Sequence, residues 1–581
     1  MKLIIRRLLF VLLLLLLAVL FYRFPNSRQI ISGVAILIFG MYMLEEGFSG
    51  FAKGPLEKIL RTLTKYDLGS LGLGAISTAI LQSSSLITVI TISFLSAGLI
   101  TLSAGALIVF GANLGTTATT WLVAAIGLNL DIAALALPFI AFGIIFNFQK
   151  TLPVKGLGNI LNGLGFFFLG IEYMKQGFEG LSGIIDLTAY GVDGYTGLLL
   201  YTGLGVMVTV IMQSSSAAMT LILTTLYAGQ ISFDNALALA IGANVGTTVT
   251  ALIGGLSAGR AGKQLATIHL LFNLITAIVA LALFSPFKYA LRWVSNVLSI
   301  GSSEYTLMLA VFHTLFNMAG IIIVYPMRHF LIRKLTWSKD KNGKSRDLIG
   351  AMLYTGAGIH ALKQRSKDFF QTLILPQLVV TLSLDKKAIS NPEKAKILLE
   401  RRQEFKTNDG EGYYIHTIKP AYGNLLMHMG TVELSELSRK ESATVFRLKL
   451  SLRQGVSAVK QMNDLQKHLA AAFYSPQEEL RNIYFEMSRI MLKTFRFSHN
   501  IPNIDNETAR RDIQAFRRRL DKFEKVIYRR VQSMMGTGKL DATIMGSLMN
   551  DIYAVQRICQ FCLGAALLLY TDSPQLSVEI D

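Results

Sequence analysis

The stretch Gln82-Ser83-Ser84-Ser85 returns as Gln213-Ser214-Ser215-Ser216, and both copies interrupt long apolar runs. Around them the match widens at a constant offset of 131. Gly72-Leu73-Gly74 answers to Gly203-Leu204-Gly205, and Gly111-Ala112-Asn113-Leu114-Gly115-Thr116-Thr117 to Gly242-Ala243-Asn244-Val245-Gly246-Thr247-Thr248. Hydroxyls, carboxamides and helix-breaking glycines are costly in hydrocarbon unless they pair or line a polar cavity. An isolated serine or glycine in such a helix more simply serves close packing. Repeated in register, these groups instead predict a site assembled from two halves, the plan of a secondary transporter.

Composition places the whole chain at a membrane. Apolar residues make up 52% of the 581 and charged residues 16%, with mean hydropathy +0.46, too greasy for a water-soluble protein. Charge is unevenly spread: residues 1–330 hold 17 Lys and Arg against 11 Asp and Glu, leaving 39 and 26 for residues 331–581. The second part therefore reads as water-soluble. A net charge of +19 and a pI near 9.7 do not point to nucleic acid, because no such binding motif is present and membrane proteins collect Lys and Arg in cytoplasmic segments. Cys559 and Cys562 lack a second pair or a neighbouring histidine and read as small buried residues of a reducing compartment. Lys2, Arg6 and Arg7 precede a leucine-rich run without a small-x-small cleavage signal. That predicts an N-terminal anchor over residues 1–28 in place of a cleaved signal peptide.

The predicted fold is all-α: a polytopic membrane protein with two inverted-topology repeats, built with re-entrant or broken helices, and a C-terminal cytoplasmic helical bundle. The membrane part runs over 29–330, with repeat 1 at about 29–148, repeat 2 at about 160–284 and an extra helix at 305–327. Segments 70–100 and 197–227 are too long for one crossing and carry the polar clusters near their middles. Loop 51–67 holds Lys53, Lys58, Arg61 and Lys65, whereas its counterpart 181–196 holds Asp186 and Asp193 and no base. Loop 127–131 has Asp131, and its counterpart 257–264 has Arg260 and Lys263. Equivalent loops of opposite charge imply opposite senses of crossing. The pattern closes if each interrupted segment enters and leaves on one side, although Lys288 and Arg292 then fall outside. Residues 331–438 read as a basic linker with connecting helices. Amphipathic patterns near 439–471, 476–498, 506–535 and 540–571 predict a four-helix bundle within 439–575.

Between residues 70 and 126 there is no Asp, Glu, Lys, Arg or His, and between 200 and 256 only Asp234 is charged. A ligand there must be handled by hydroxyls, carboxamides, backbone groups and half-helix ends. Serines at a helix break with freed N–H groups suit a tetrahedral oxyanion. Carbonyls exposed at Gly111, Gly115, Gly242 and Gly246, with Asn and Thr oxygens, suit a monovalent cation such as sodium. Elsewhere, His269-Leu270-Leu271-Phe272-Asn273 recurs as His313-Thr314-Leu315-Phe316-Asn317. A proton-coupling histidine is one reading; a neutral histidine bonded to a neighbouring helix is the simpler one. Glu45, Glu46, Glu172 and Lys175 lie near span ends and read as interfacial partners of nearby charges.

The paired Gln-Ser-Ser-Ser motifs, each followed by Gly-Ala-Asn-x-Gly-Thr-Thr, resemble the sodium-dependent phosphate cotransporters of the sodium/phosphate (Na/Pi) family, including bacterial members with a PhoU-like cytoplasmic domain. The resemblance covers about 29–330. It implies that Gln82, Ser83, Ser84, Ser85, Gln213, Ser214, Ser215 and Ser216 bind substrate. Sodium falls to Gln82, Ser83, Gln213 and Ser214, with Asn113, Thr116, Thr117, Asn244, Thr247 and Thr248 as further ligands. It also implies a non-enzyme with no cofactor beyond sodium as coupling ion. Its partners would be inorganic phosphate, the lipid bilayer and no nucleic acid, with room for a homo-oligomer or a cytoplasmic regulatory partner. The location implied is a bacterial inner membrane, multi-pass, with the C-terminal part in the cytoplasm. Leu384-Asp385, Pro392-Glu393-Lys394-Ala395, Asn550-Asp551-Ile552 and Arg557-Ile558 are similar to the PhoU-like extension. Cys559 and Gln560 stand where acidic metal ligands would continue that pattern, so metal binding by the bundle is not expected. Transport of another anion, export, or a membrane-anchored phosphate sensor remain alternatives.

Overall fold

The computed structural model describes residues 19, 21–52, 63–127, 132–149, 151–182, 191–192, 194–257, 259–336, 355–390, 404–430, 437, 439–535 and 542–571. Residues 1–18 and 20 of the 1–28 anchor, most of loop 51–67, the acidic loop residues Asp131, Asp186 and Asp193, and the basic stretch 337–354 lie outside them. The chain divides into two units, Met1–Ala357 and Gly358–Asp581.

In the first unit, repeat 1 comprises α1 (Pro25–Ala52), α2 (Asp67–Leu81), α3 (Ser84–Ser96), α4 (Leu102–Leu122) and α5 (Ile132–Asn147). Repeat 2 comprises α6 (Leu152–Ser182), α7 (Gly194–Met212), α8 (Ser215–Tyr227), α9 (Phe233–Ser257) and α10 (Gly259–Ala282), followed by α11 (Phe284–Val297) and α12 (Tyr305–Thr336). Among the described residues eight helices are long and apolar enough to cross a membrane, seven of them in this unit. The protein is an all-α, multi-pass membrane protein.

The two halves run in opposite senses where they touch. A Cβ added at Gly33 would meet Gly170, one at Gly40 would meet Gly163 and Phe167, and one at Gly47 would meet Gly156. As numbers rise along α1 they fall along α6, so these repeat-equivalent helices are antiparallel. Exchanging the repeats turns the pair Gly40 and Gly163 into Ile171 and Ser32, one residue from the observed pair Gly170 and Gly33. The contact register therefore maps onto itself, as an approximate two-fold axis between the halves requires.

Each interrupted segment breaks where its glutamine stands. Gln82 and Gln213 adopt φ of 55° and 52°, the left-handed region that ends a helix. Ser83 and Ser214 are then extended and cap the next helix, accepting from Leu86 N and Ala217 N, both at 3.2 Å. Gln82 lies beside Thr119, whereas Thr91, later in α3, lies beside Gly105, earlier in α4. Leu71 and Ala75 of α2 instead lie beside Gly111 and Gly115 in rising order. Thus α2 runs parallel to α4 and α3 antiparallel to it, which makes α2 and α3 a helical hairpin with the break at its tip.

The glycine motifs do something other than expose carbonyls. Both α4 and α9 pass through them as continuous helix. A Cβ at Gly111 would stand 1.9 Å from the Leu71 carbonyl oxygen, and one at Gly242 would stand 2.0 Å from that of Thr202. Their function is to seat the hairpin arm directly on backbone, as small residues do between membrane helices. The span reading also left only a connection between residues 284 and 305, where the structure forms α11. Tyr289 and Trp293 are 72% and 69% exposed on it, side chains suited to a membrane-water interface. Lys288 pairs with Asp234 at 2.7 Å, so this base is held by a partner at the start of α9 and does not report topology freely.

The second unit contains α13 (Thr355–Phe369), which begins at its boundary, α14 (Leu375–Thr381), α15 (Gly410–Tyr413) and α16 (Lys419–Gly430), then the long helices α17 (Arg439–Phe473), α18 (Glu478–Asn500), α19 (Asn506–Met535) and α20 (Ala542–Tyr570). The apolar α20 is the eighth helix of spanning length; it packs against α17, α18 and α19. Asp551, 4% exposed on α20, accepts from the Tyr484 hydroxyl of α18 and pairs with His468 Nδ1 of α17 at 2.8 Å.

Candidate functional site

The two breaks meet through one threonine. Thr119 Oγ1 donates to Gln82 Oε1 at 2.6 Å and lies 3.4 Å from Ser216 Oγ. A hairpin tip of repeat 1, helix α4 and the first turn of α8 in repeat 2 therefore share one hydrogen-bonded cluster. Thr119 is not among the residues the motifs single out, although it recurs as Thr250 at the same offset. In repeat 2 that threonine donates to its own helix, to Thr247 O at 2.8 Å. The halves are equivalent in backbone and unequal in side-chain bonding.

Ser84, Ser215 and Ser216 are buried, while Gln82, Ser83, Ser85 and Ser214 are half-buried and Gln213 is exposed. Ser84, Ser85, Ser215 and Ser216 occupy the first turns of α3 and α8, where backbone N–H groups have no intrahelical acceptor and the helix dipole is positive. The first turn of α8 reaches repeat 1 through the contact of Ser216 with Thr119. A cavity of about 290 Å³ opens beside Gln82, lined by Met41, Leu44 and Phe48 of α1, Ala79 and Ile80 of α2, and Leu164 of α6 among others.

The second set of candidates is less concentrated. Thr116, Thr117, Thr247 and Thr248 donate to carbonyls of their own helices at 2.7–3.0 Å, which leaves hydroxyl lone pairs as their remaining capacity. Asn244 donates to Ala240 O at 3.1 Å. Asn113 is drawn away from the serines: it donates to Asn273 Oδ1 at 3.2 Å and its Oδ1 lies 3.2 Å from His269 Nε2. His313 Nδ1 meets Thr120 Oγ1 at 2.8 Å. Both histidines thus bond side chains of α4, and in each motif the asparagine four residues on donates back to the histidine carbonyl.

Glu172 accepts from Gln176 at 2.8 Å, and Lys175 stacks over the Tyr227 ring at 5.2 Å. Asp67, at the start of α2, is held by Arg328 at 2.5 Å and by Tyr325 at 2.9 Å.

Broken hairpins of opposite sense, meeting at uncharged polar tips inside a multi-pass helical protein, define a membrane transport protein of the inverted-repeat class. The chain belongs to the Na+/Pi-cotransporter family, whose sequence profile matches residues 36–176 and 197–311. It is 30% identical to the uncharacterized protein YqeW of Bacillus subtilis over 315 residues, which cover 52% of this chain and 96% of that one. It is 31% identical over 308 residues to a Salmonella typhimurium protein provisionally named inorganic phosphate export protein YjbB, and 30% identical over 301 residues to its Escherichia coli K12 namesake. The match spans about half the length of these two relatives, 54% and 53%. No solved structure matches the chain.

Proposed function

We propose that this protein carries inorganic phosphate across a bacterial inner membrane by alternating access, coupled to sodium. The observation that carries the reading is the joining of Gln82 and Ser216 through Thr119, which puts one motif residue of each repeat into a single hydrogen-bonded cluster. The family description and the YjbB names, both of which refer to phosphate, support the substrate. The chemistry agrees: hydroxyls and half-helix N-termini can surround a tetrahedral oxyanion without a fixed cation. Burying that anion alone costs several kcal/mol, about what a co-bound cation offsets.

In this mechanism Gln82, Ser83, Ser84, Ser85 and their repeat-2 equivalents hold phosphate. Hydroxyl and amide oxygens of the same tips, and of Asn113, Thr116, Thr117, Asn244, Thr247 and Thr248, serve sodium. One part of the protein then moves relative to the other around the bound pair, with no covalent step. The C-terminal unit, cytoplasmic and PhoU-like by resemblance, regulates.

The test is uptake of radiolabelled phosphate by the purified protein in liposomes under imposed sodium gradients. Flux should follow the sodium gradient, resist sulfate and dicarboxylate competition, and fall by about tenfold or more in Ser84→Ala and Ser215→Ala, the loss expected when a buried charge-assisted hydrogen bond goes. Flux indifferent to sodium, or untouched by both substitutions, would overturn the reading. The relatives' names favour export as the direction of physiological flow; outward and inward gradients in the same vesicles compare the two.

A further inference from the structure

Helix α19 divides its surface sharply. Ala509, Ile513, Leu520, Ile527, Val531 and Met534 are buried and mark the face that packs on the bundle, where Phe516 stacks on Phe497 of α18 with ring centroids 5.0 Å apart. On the opposite face stand Arg511, Arg518, Lys522, Lys525 and Arg529, all exposed. Their spacings of seven, four, three and four residues keep them within about 40° of one line along the helix, at about 100° per residue. That row is about 27 Å long, at about 1.5 Å per residue.

From Arg511 to Arg529 no acid shares the row. Asp512, Asp521 and Glu524 lie about 80° or more round the helix, and Glu507 precedes the row in the first turn. Arg511 reaches Asp512 at 3.8 Å, and Lys525 adjoins Glu524 in sequence. Among the described residues Arg518, Lys522 and Arg529 form no ion pair. Arg530 behaves differently: it points into the bundle and is held by Glu479 at 2.9 Å and Glu486 at 3.1 Å.

Such a row is unfavourable by itself. Like charges three or four residues apart on a helix repel, and Arg518, Lys522, Lys525 and Arg529 make three such pairs in succession. An extended anionic surface laid along the row turns that repulsion into attraction. A protein partner fits it poorly, because the centre of a protein interface is depleted in charge and rich in aromatic anchors. The large apolar side chains that α19 exposes are Val526 and Tyr528, at 53% and 39%, and Tyr528 lies about 100° from the row. A bilayer fits well, since headgroup phosphates form a plane of negative charge that draws each nearby Lys or Arg. It is also always within reach. Twenty-one residues separate Thr336, the end of the membrane helix α12, from Gly358, where the second unit begins, and a chain of that length spans about 75 Å at most. The tether keeps the effective concentration of membrane surface high.

We infer that the outward face of α19 docks on anionic phospholipid, with Arg518, Lys522, Lys525 and Arg529 resting on headgroup phosphates. The docking requires only that the first unit spans a membrane, and it stands apart from the phosphate and sodium assignments.

Full-length protein carrying Gln514→Cys tests this in nanodiscs. Gln514 is exposed beside the row, and Cys559 and Cys562 are buried, so a fluorescent thiol reagent marks position 514. Its quenching by a lipid with a nitroxide headgroup is compared in discs of phosphatidylcholine alone and in discs mixed with phosphatidylglycerol. The anionic lipid should raise quenching by about twofold or more. That gain should vanish in about 1 M salt, where the screening length falls to about 3 Å from about 10 Å at 0.1 M. Arg518→Glu, Lys522→Glu, Lys525→Glu and Arg529→Glu combined should abolish the gain. The same four positions changed to Gln should also lose it, and they supply the answer if the reversed protein does not fold. Equal quenching in neutral and anionic discs, or a gain that survives the Gln substitutions, would overturn the inference. A label indifferent to lipid but shielded by added RNA or by a soluble acidic protein would assign the row to that partner and overturn it as well.

Discussion

Single residues decide where the halves join. Thr119 links a glutamine of one repeat to a serine of the other, and a valine there keeps the shape while removing both bonds. Losing one or two kcal/mol of such bonding changes an equilibrium roughly 5- to 30-fold, so Thr119→Val should slow phosphate uptake by about that factor. Normal monodispersity with unaltered uptake would show the link to be ornamental. The clusters themselves were legible because polar groups inside apolar runs are expensive and therefore conspicuous, and because they occur twice in register. Thr119 was not: a hydroxyl within a helix has an ordinary explanation until α2, α4 and α8 are placed in space.

At the scale of elements, the sequence showed two long interrupted segments, and charge placed both ends of each on one side. Backbone geometry supplies the cause, since the glutamine at each break takes a left-handed conformation and the following serine starts a new helix. The Gly-Ala-Asn-x-Gly-Thr-Thr stretches were legible as special and misread as to why. Glycine both breaks helices and lets them touch, and only the distance of 1.9 Å from a Gly111 Cβ to the Leu71 carbonyl oxygen distinguishes the two uses. Forcing a methyl group into such a contact costs about 1–3 kcal/mol. Gly111→Ala and Gly242→Ala should therefore lower Tm in detergent and reduce flux together. Gly72→Ala, where nothing lies within 4 Å, should leave Tm nearly unchanged, and equal effects at all three positions would contradict the seating function.

For the whole molecule, the two units obey different rules. The first buries hydroxyls and amides at a junction of mirrored hairpins; the second is a helical bundle in which, among the described residues, one deeply buried carboxylate, Asp551, collects a phenol and an imidazole. Burial, and then the neighbouring Asp551, raise the Tyr484 phenol above its usual value of 10.0. A raised pKa favours the protonated form in the folded state, so its stabilisation is fully present below about pH 10 and lost as pH climbs through the folded value. Hydrogen exchange of α18 in the full-length protein should thus quicken above about pH 10 in wild type beyond the intrinsic rate. Tyr484→Phe should remove that extra dependence; an identical profile in both proteins would exclude the phenol as its source. The amphipathic periods made these helices legible, whereas the Asp551 hub joins three helices and has no signature along the chain.

The convergence of the two tips can be tested by oxidation of a Thr119→Cys, Ser216→Cys double variant in membranes. The native oxygens are 3.4 Å apart, so a reducible bond should form between the two engineered positions, identified by mass spectrometry of the joined peptides, and it should stop phosphate uptake until reductant restores it. Failure to form that bond under conditions that oxidise accessible thiols, or uptake that continues with the bond in place, would contradict a shared site closed by both repeats.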